Sequence, residues 1–257
     1  MLLALDAGNS NITIGAFDGN KLIERWRLRT IHEQTADEWG VLMRNLFELA
    51  SLDLAHVDGI IIASVVPTLD APLLAMAERY FHTTPLFVTP DTDIGLQVLY
   101  DNPREVGADR VVNGVAAFHL YGGPSIVVDL GTTINFDIVS ANAEYLGGMI
   151  CPGIGMSITG LFAKTARLPM VDLREPGRLI GKDTVNSIQS GLYYGFGGMI
   201  DGIVGRVKAE LGTNTKVVAT GGQAQLIAGA ARSVEIINED LTLQGLEIIW
   251  RRNNPKK

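Results

Sequence analysis

Leu3-Ala4-Leu5-Asp6-Ala7-Gly8-Asn9-Ser10-Asn11-Ile12-Thr13-Ile14-Gly15 is echoed in mid-chain by Val127-Val128-Asp129-Leu130-Gly131-Thr132-Thr133-Ile134-Asn135-Phe136-Asp137. In both, an apolar run leads into Asp-x-Gly, then small hydroxyl or amide residues, then a second apolar run. A tight strand-turn-strand needs glycine where the backbone bends and where a ligand comes close. Small polar residues beside that glycine offer N–H and O–H donors to a phosphate. The aspartate ending each first strand can hold a cation or a metal-bound water. One Asp-x-Gly hairpin alone reads as an ordinary turn. Two in one chain predict a duplicated fold that closes on a nucleotide from both sides.

The 257 residues have room for two modest domains or one large α/β unit, and 47% hydrophobic content supports a sizeable core rather than disorder. A net charge of −7 argues against nucleic acid as the main ligand. The one basic run, Arg251-Arg252-Asn253-Asn254-Pro255-Lys256-Lys257, is expected to be a frayed, solvated terminus. Cys151 is the sole cysteine, which excludes internal disulfides and suits a reducing cytoplasm. No basic segment precedes the first apolar run and Asp6 interrupts it, so no secretory leader is expected. The longest strongly apolar run, Ile60–Val66, is far short of the roughly 20 residues of a membrane helix, so no membrane partner is expected either. His32, His56, His82 and His119 lack ligand spacing, which argues against zinc.

Working outward from the first Asp-x-Gly segment, residues 1–17 read as a hairpin and Lys21–Arg29 as a third strand. Thr35 is placed to cap a helix over Asp37–Leu49, with Trp39, Leu42, Leu46 and Leu49 on its apolar face. The nearly continuous apolar run Gly59–Val66 predicts a strand buried on both faces. Ala71–Tyr80 reads as helix and Pro85–Val88 as strand. Asn102–Leu120 reads as a loop entering a helix, with Val111, Val112, Val115 and Phe118 as its buried stripe. After Gly122-Gly123-Pro124 the order returns: a hairpin over Ile126–Val139, a strand at Tyr145–Met149, helices, a strand at Lys216–Ala219, and a helix at Ala224–Ala231. A short strand at Val234–Ile237 and a helix over Leu241–Trp250 close the chain. Strands first and helices after them, twice, resemble the actin-like, sugar-kinase and heat-shock ATPase superfamily. The expected class is α/β: a duplicated actin-like (ribonuclease H-like) ATPase fold, two similar halves with mixed sheets flanked by helices, residues 1–121 and 122–257. Ala219-Thr220-Gly221-Gly222-Gln223 falls where that superfamily contacts adenosine, although a plain strand-helix turn has the same sequence.

The most specific segment is Tyr100-Asp101-Asn102-Pro103-Arg104-Glu105-Val106-Gly107-Ala108-Asp109-Arg110. Gly107 permits a close approach before a helix, and Asp109 and Arg110 fall in its first turn, where backbone N–H groups are unpaired. An aspartate there can simply stabilise the helix. Beside two phosphate-type turns it can also take a proton from a hydroxyl while Arg110 holds an anionic group of the same substrate.

On these residues the chain resembles type III pantothenate kinase over nearly its whole length. The resemblance implies that Asp6, Ala7, Gly8, Asn9, Ser10, Asn11, Ile12 and Thr13 form the first phosphate loop, with Thr132 also contacting ATP. It implies a pantothenate site of Tyr100, Gly107, Ala108, Asp109 and Arg110, with Asp109 as catalytic base. It further implies a monovalent cation, K⁺ or NH₄⁺, on Asp129, and Mg²⁺ with ATP on Asp6, directly or through water. Gly147-Gly148-Met149-Ile150-Cys151-Pro152-Gly153 and Thr165-Ala166-Arg167-Leu168-Pro169 match further family signatures. Gly181–Gly191 matches the stretch whose threonine, here Thr184, is expected to reach pantothenate across a homodimer interface. The partners implied are ATP, pantothenate and a second copy of the chain.

One departure stands out. The family pattern Asp-x-Gly-Thr-Ala-Thr-Thr-x-Asp is here Asp129, Gly131, Thr132, Thr133, Ile134, Asn135 and Asp137. If the two replaced hydroxyls face ATP, nucleotide affinity falls; if they face the sheet interior, Ile134 is simply a better strand residue. Some relatives are described as transcription accessory factors, so a nucleotide-binding regulator with little or no turnover is the alternative reading. Retention of Tyr100, Asp109, Arg110 and Thr184 favours the kinase. The Gly191–Val204 run is richer in glycine and aromatics than a solvent-facing helix, and both a subunit interface and buried core account for that.

Overall fold

The computed structural model describes residues 1–255. In chain order its elements are β1 (Leu2–Ala7), β2 (Asn11–Asp18), β3 (Lys21–Arg29), α1 (Ala36–Leu49), β4 (Gly59–Ser64), α2 (Pro67–Phe81), β5 (Leu86–Phe87), β6 (Gln97–Val98), α3 (Ala108–Tyr121), β7 (Ser125–Leu130), β8 (Thr133–Val139), β9 (Glu144–Pro152), α4 (Ile154–Ala163), α5 (Thr184–Leu211), β10 (Lys216–Thr220), α6 (Ala224–Ala228), β11 (Ile236–Ile237) and α7 (Leu241–Asn253). Among the described residues no helix is long and apolar enough to cross a membrane.

Two compact units result. The first holds residues 1–96, 100–116 and 241 onward; the second holds 97–99 and 117–240. The expected halves, 1–121 and 122–257, follow chain order, whereas these units follow packing. The difference is largest at α7, which lies against β1, β2 and β4. Its fit there is specific. A side chain on Gly245 would run into the Val112 carbonyl oxygen, and Gly59 lies under the Trp250 ring. The Thr242 hydroxyl donates to Asn113 Oδ1 at 2.7 Å.

In the first unit the sheet order is β3-β2-β1-β4-β5. β1 and β2 pair antiparallel, and β1 and β4 parallel. One face, carrying Leu3, Leu5, Ile12, Ile14, Ile60 and Ile62, is covered by α1 and α2. The other, carrying Leu2, Ala4, Ile61 and Ala63, is covered by Val112 and Val115 of α3 and by Leu243, Leu246 and Ile249 of α7. Strands buried on both faces read as unbroken apolar runs, as β1 and β4 do. Thr35 caps α1 in a reciprocal box: its Oγ1 accepts from the Glu38 N–H at 3.3 Å, and its own N–H donates to Glu38 Oε2 at 2.8 Å. The buried stripe of α1 is Trp39, Met43 and Phe47, and the expected Leu49 is 84% exposed. Gly40 explains the rotation. It lies against the Tyr80 ring of α2, with room for no side chain, and this close approach turns Met43 and Phe47 inward.

In the second unit the order is β11-β10-β7-β8-β9-β6. Ile126, Val128, Leu130, Ile134, Phe136 and Ile138 form its core with Ile154 of α4, Tyr193, Ile200 and Val204 of α5, and Ile227 of α6. β6 was not foreseen; two residues carry no readable period, and only pairing with Glu144 and Tyr145 makes them a strand.

The basic tail is corrected in part. Arg251 and Arg252 lie in the last turn of α7 rather than in a frayed end. Arg251 pairs with Glu247 at 2.5 Å, and Arg252 pairs with Asp93 at 2.7 Å. Lys256 and Lys257 lie outside the described residues.

Candidate active site

In the first unit the Asp6 turn is built at the C-terminal end of β1. The Gly8 N–H donates to the Asn11 carbonyl at 3.1 Å and closes the turn. Thr30, just past β3, ties it from the side: its hydroxyl donates to the Gly8 carbonyl at 2.6 Å and its N–H to that of Ser10 at 3.2 Å. Asp6 and Thr13 face each other across β1 and β2 and are half-buried, while Asn9 and Ser10 are exposed. Ala7 and Ile12 are buried in the core below, so their part in the turn is to anchor it.

α3 begins at the same end of this sheet. The space at Gly107 adjoins Val65, which follows β4, and the Val65 N–H donates to the Ala7 carbonyl at 3.1 Å. Residues Asp6 to Thr13 and Gly107 to Arg110 thus share one edge of the first unit. A side-chain carbon on Gly107 would come within 2.6 Å of Asp109 Oδ1, so glycine keeps that carboxylate where it is. The carboxylate accepts from the Arg110 N–H at 2.9 Å. Burial of the Asp109 carboxyl pushes its pKa above the ordinary value, and the Arg110 N–H and guanidinium charge oppose that shift without cancelling it. A carboxylate that prefers its proton is suited to general-base work at neutral pH. Arg110 itself is 7% exposed. Ala108 and Tyr100 are half-buried beside this turn and in the loop before it.

In the second unit Asp129 is the penultimate residue of β7 and sits opposite Asn135 of β8 and beside Thr220 of β10. The Gly131 N–H donates to the Thr133 carbonyl at 3.0 Å, leaving Thr132 exposed at the tip. The altered positions divide by face. Ile134 is fully buried in the second core, so the missing hydroxyl there points away from the turn. Asn135 lies on the Asp129 face and accepts from the Thr133 hydroxyl at 3.1 Å. Gly221, at φ +91°, bounds the aspartate: a carbon on it would lie 2.5 Å from Asp129 Oδ1 and 2.7 Å from the Leu130 carbonyl oxygen. No side chain therefore fits between residue 221 and the end of β7, and the Gly221 backbone packs directly against Asp129. Thr184 is the exposed first residue of α5, behind the Asp183 cap, whose carboxylate accepts from the Asn186 N–H at 2.8 Å.

One glycine pattern escaped sequence reading. Gly191, Gly195, Gly198, Gly202 and Gly205 form an exposed stripe along α5 with no atom against any of them, while Leu192, Tyr193, Ile200 and Val204 face the core. The 4-3-4-3 spacing was visible in the sequence.

The sequence pattern of type III pantothenate kinases matches residues 2–206. The type III pantothenate kinase of Solibacter usitatus is 65% identical over 256 residues, covering 100% of this chain and 98% of the relative. Among solved structures, one from Campylobacter jejuni described as a Baf family transcriptional activator is 22% identical, covers 98% of each chain, and superposes with a TM-score of 0.58. Component A of (R)-2-hydroxyglutaryl-CoA dehydratase from Acidaminococcus fermentans is 13% identical, covers 96% of this chain and 95% of its own, and gives 0.55. The fold is the α/β actin-like ATPase fold, with mixed sheets flanked by helices.

Proposed function

The chain belongs to the type III pantothenate kinase family, and from that premise we propose which of its residues carry the reaction. The activity is phosphorylation of pantothenate by ATP, the first step of coenzyme A biosynthesis. The primary hydroxyl oxygen of pantothenate bonds to the γ-phosphorus, and the bond from that phosphorus to the β,γ-bridging oxygen breaks. Its electron pair leaves on ADP, and the hydroxyl proton passes to Asp109. The observation carrying this assignment is the desolvated Asp109 carboxyl at the edge it shares with the Asp6 turn, held by Gly107. Tyr100, Gly107, Ala108 and Arg110 bind pantothenate, with Arg110 facing its carboxylate or amide end.

The Asp6–Thr13 turn and Thr132 donate to the phosphates of ATP. Asp6 offers the hard oxygen that Mg²⁺ takes, directly or through water. Among the described residues no cluster of His, Cys, Asp or Glu could hold a metal alone, which fits an ion that relies on phosphates for its other ligands. When bound, that ion neutralises phosphate charge. Phosphoryl transfer needs mainly positioning and charge neutralisation, so this modest set suffices. With Ile134 turned into the core, the change at that position lends nothing to a regulator without turnover, and at the other position the amide of Asn135 keeps a polar group on the Asp129 face. The deciding assay is coupled ADP release with pantothenate against a panel of small alcohols. Release with another alcohol and none with pantothenate would defeat the substrate assignment.

Asp129 takes a monovalent cation, supported by the place of its carboxylate near the end of β7, beside the Gly131 turn assigned to the phosphates. Rates should be higher in K⁺ or NH₄⁺ than in Na⁺, and Asp129→Ala should lose that difference. Equal rates in all three salts, or an Asp129→Ala enzyme that still responds to K⁺, would refute this role. With its single cysteine, Cys151, the enzyme is assigned to the cytoplasm.

The active assembly is a homodimer in which Thr184 serves the partner's site. Supporting this are the bare glycine stripe of α5 and the exposed Val185 and Tyr194, each 38% exposed, alongside it. Heptad-like glycine spacing lets a second helix approach backbone to backbone, and two-fold pairs are the commonest soluble assembly. Two inactive variants, Asp109→Asn and Thr184→Arg, should regain part of the activity when mixed. In the mixed dimer one site carries both lesions and the other neither. A light-scattering mass of one chain, or no rescue after verified subunit exchange, would defeat the composite site.

A further inference from the structure

A β-bulge decides what borders the Asp6 turn. Between Ala16 and Phe17 the pairing of β2 with β3 slips by one residue. A one-residue slip moves every later side chain to the other face. As a result Trp26 and Leu28 pack into the core on the α1–α2 side. Arg25, Arg27 and Arg29 go to the opposite face, paired with Gly15, Thr13 and Asn11. Thr13 is in turn paired with Asp6. Asp6, Thr13 and Arg27 therefore form one cross-strand row on one face, about two inter-strand spacings, or roughly 10 Å, from end to end. Arg27 is exposed, and among the described residues no carboxylate lies within ion-pair distance of it.

The duplication provides an internal comparison. In the second unit the matching row runs from Asp129 through Asn135 to Ile150, which is 62% exposed. The architecture therefore does not require a cation at the third strand. A cation stands only in the row that begins at Asp6. The competing explanation is that charges on an edge strand deter pairing with other chains. Lys21, Arg25 and Arg29 already meet that need along β3.

We propose that Arg27 contacts the triphosphate of ATP from the β3 side, as a guanidinium that neutralises and orients it above the Asp6–Thr13 turn. A planar guanidinium matches phosphate oxygens two at a time and stays charged at every working pH. This rests on the assignment of the Asp6 turn to ATP.

The test compares wild-type enzyme with Arg27→Ala, Arg27→Lys, Arg27→Glu and a charge control, Lys21→Ala, in the coupled assay and in calorimetric titration with ATP and AMP. Arg27→Ala should raise the KM for ATP about ten- to a hundredfold, the range for a lost charged hydrogen bond. The KM for pantothenate and the affinity for AMP should stay near wild type. Arg27→Lys should recover part of the loss, Arg27→Glu should be worse than alanine, and Lys21→Ala should match wild type. An unchanged KM for ATP in Arg27→Ala would overturn the proposal while the kinase reading stands. Equal normal behaviour of the lysine and glutamate variants, with aggregation in alanine alone, would assign Arg27 to edge protection instead. Failure of ATP to bind wild-type enzyme would instead remove the ATP assignment of the turn on which the proposal stands.

Discussion

Asp109→Asn should lower kcat about 10²- to 10⁴-fold, the usual loss for a positioned general base, while leaving the fold as stable as before. The substitution keeps size and hydrogen-bonding capacity and removes only the ability to take a proton. Its stability consequence follows from the direction of the pKa shift. The folded protein raises the Asp109 pKa through burial, so folding favours the protonated form. That contribution to stability is present at acid pH, below the unfolded pKa, and is lost as pH rises through the raised folded value. At neutral pH the ionised carboxylate therefore opposes folding, and a neutral amide should give an equal or higher Tm. The same shift predicts that the acid limb of kcat against pH lies above the range of an ordinary carboxylate. Near-normal turnover in Asp109→Asn would remove this residue from the mechanism. A large fall in its Tm would mean that the carboxylate is structural.

What the sequence disclosed, and what it hid, divide along the range of the interactions. β1, β2, β7 and β8 were legible because their apolar runs and Asp-x-Gly turns are local signals. The Thr35–Glu38 box was legible for the same reason. The α1 stripe was legible in part: Trp39 is buried and Leu42 packs on the core, but Met43 and Phe47 take the place given to Leu49, where the contact of Gly40 with Tyr80, far apart in the chain, brings the helices close. α7 was assigned to the second half because chain order says nothing of the Gly245–Val112 fit. At the candidate site, Asp6, Gly107 and Asp109 stood out by motif. Arg27 did not, since its face depends on a one-residue bulge ten to eleven positions earlier at Ala16 and Phe17. Without that slip Trp26 would lie beside Thr13. The place of Ile134 was likewise undecided in the sequence, because a strand residue on either face has the same neighbours in the chain.

Gly153→Ala should disable the second turn, and the reason can be separated from backbone preference. Gly153 precedes α4 with φ −70° and ψ 163°, dihedrals that any residue adopts. Its lack of a side chain is required by space alone. An added carbon would overlap the Thr132 carbonyl oxygen and lie 2.6 Å from the Thr132 carbonyl carbon and 2.9 Å from the Gly131 oxygen. All three are backbone atoms of the turn assigned to ATP, so none can rotate away as a side-chain tip would. Either the turn or the start of α4 must move. Forced overpacking of this kind costs about 1–3 kcal/mol, measurable by urea denaturation, and the KM for ATP should rise with it. Gly155, two residues on and inside α4, has nothing within 4 Å. Gly155→Ala should instead stabilise the protein by about 0.5–1 kcal/mol, the usual advantage of alanine in a helix, and leave ATP kinetics unchanged. The same added methyl at two nearby glycines should thus act in opposite directions. If Gly153→Ala equals wild type in both stability and KM for ATP, the turn is not held by this contact.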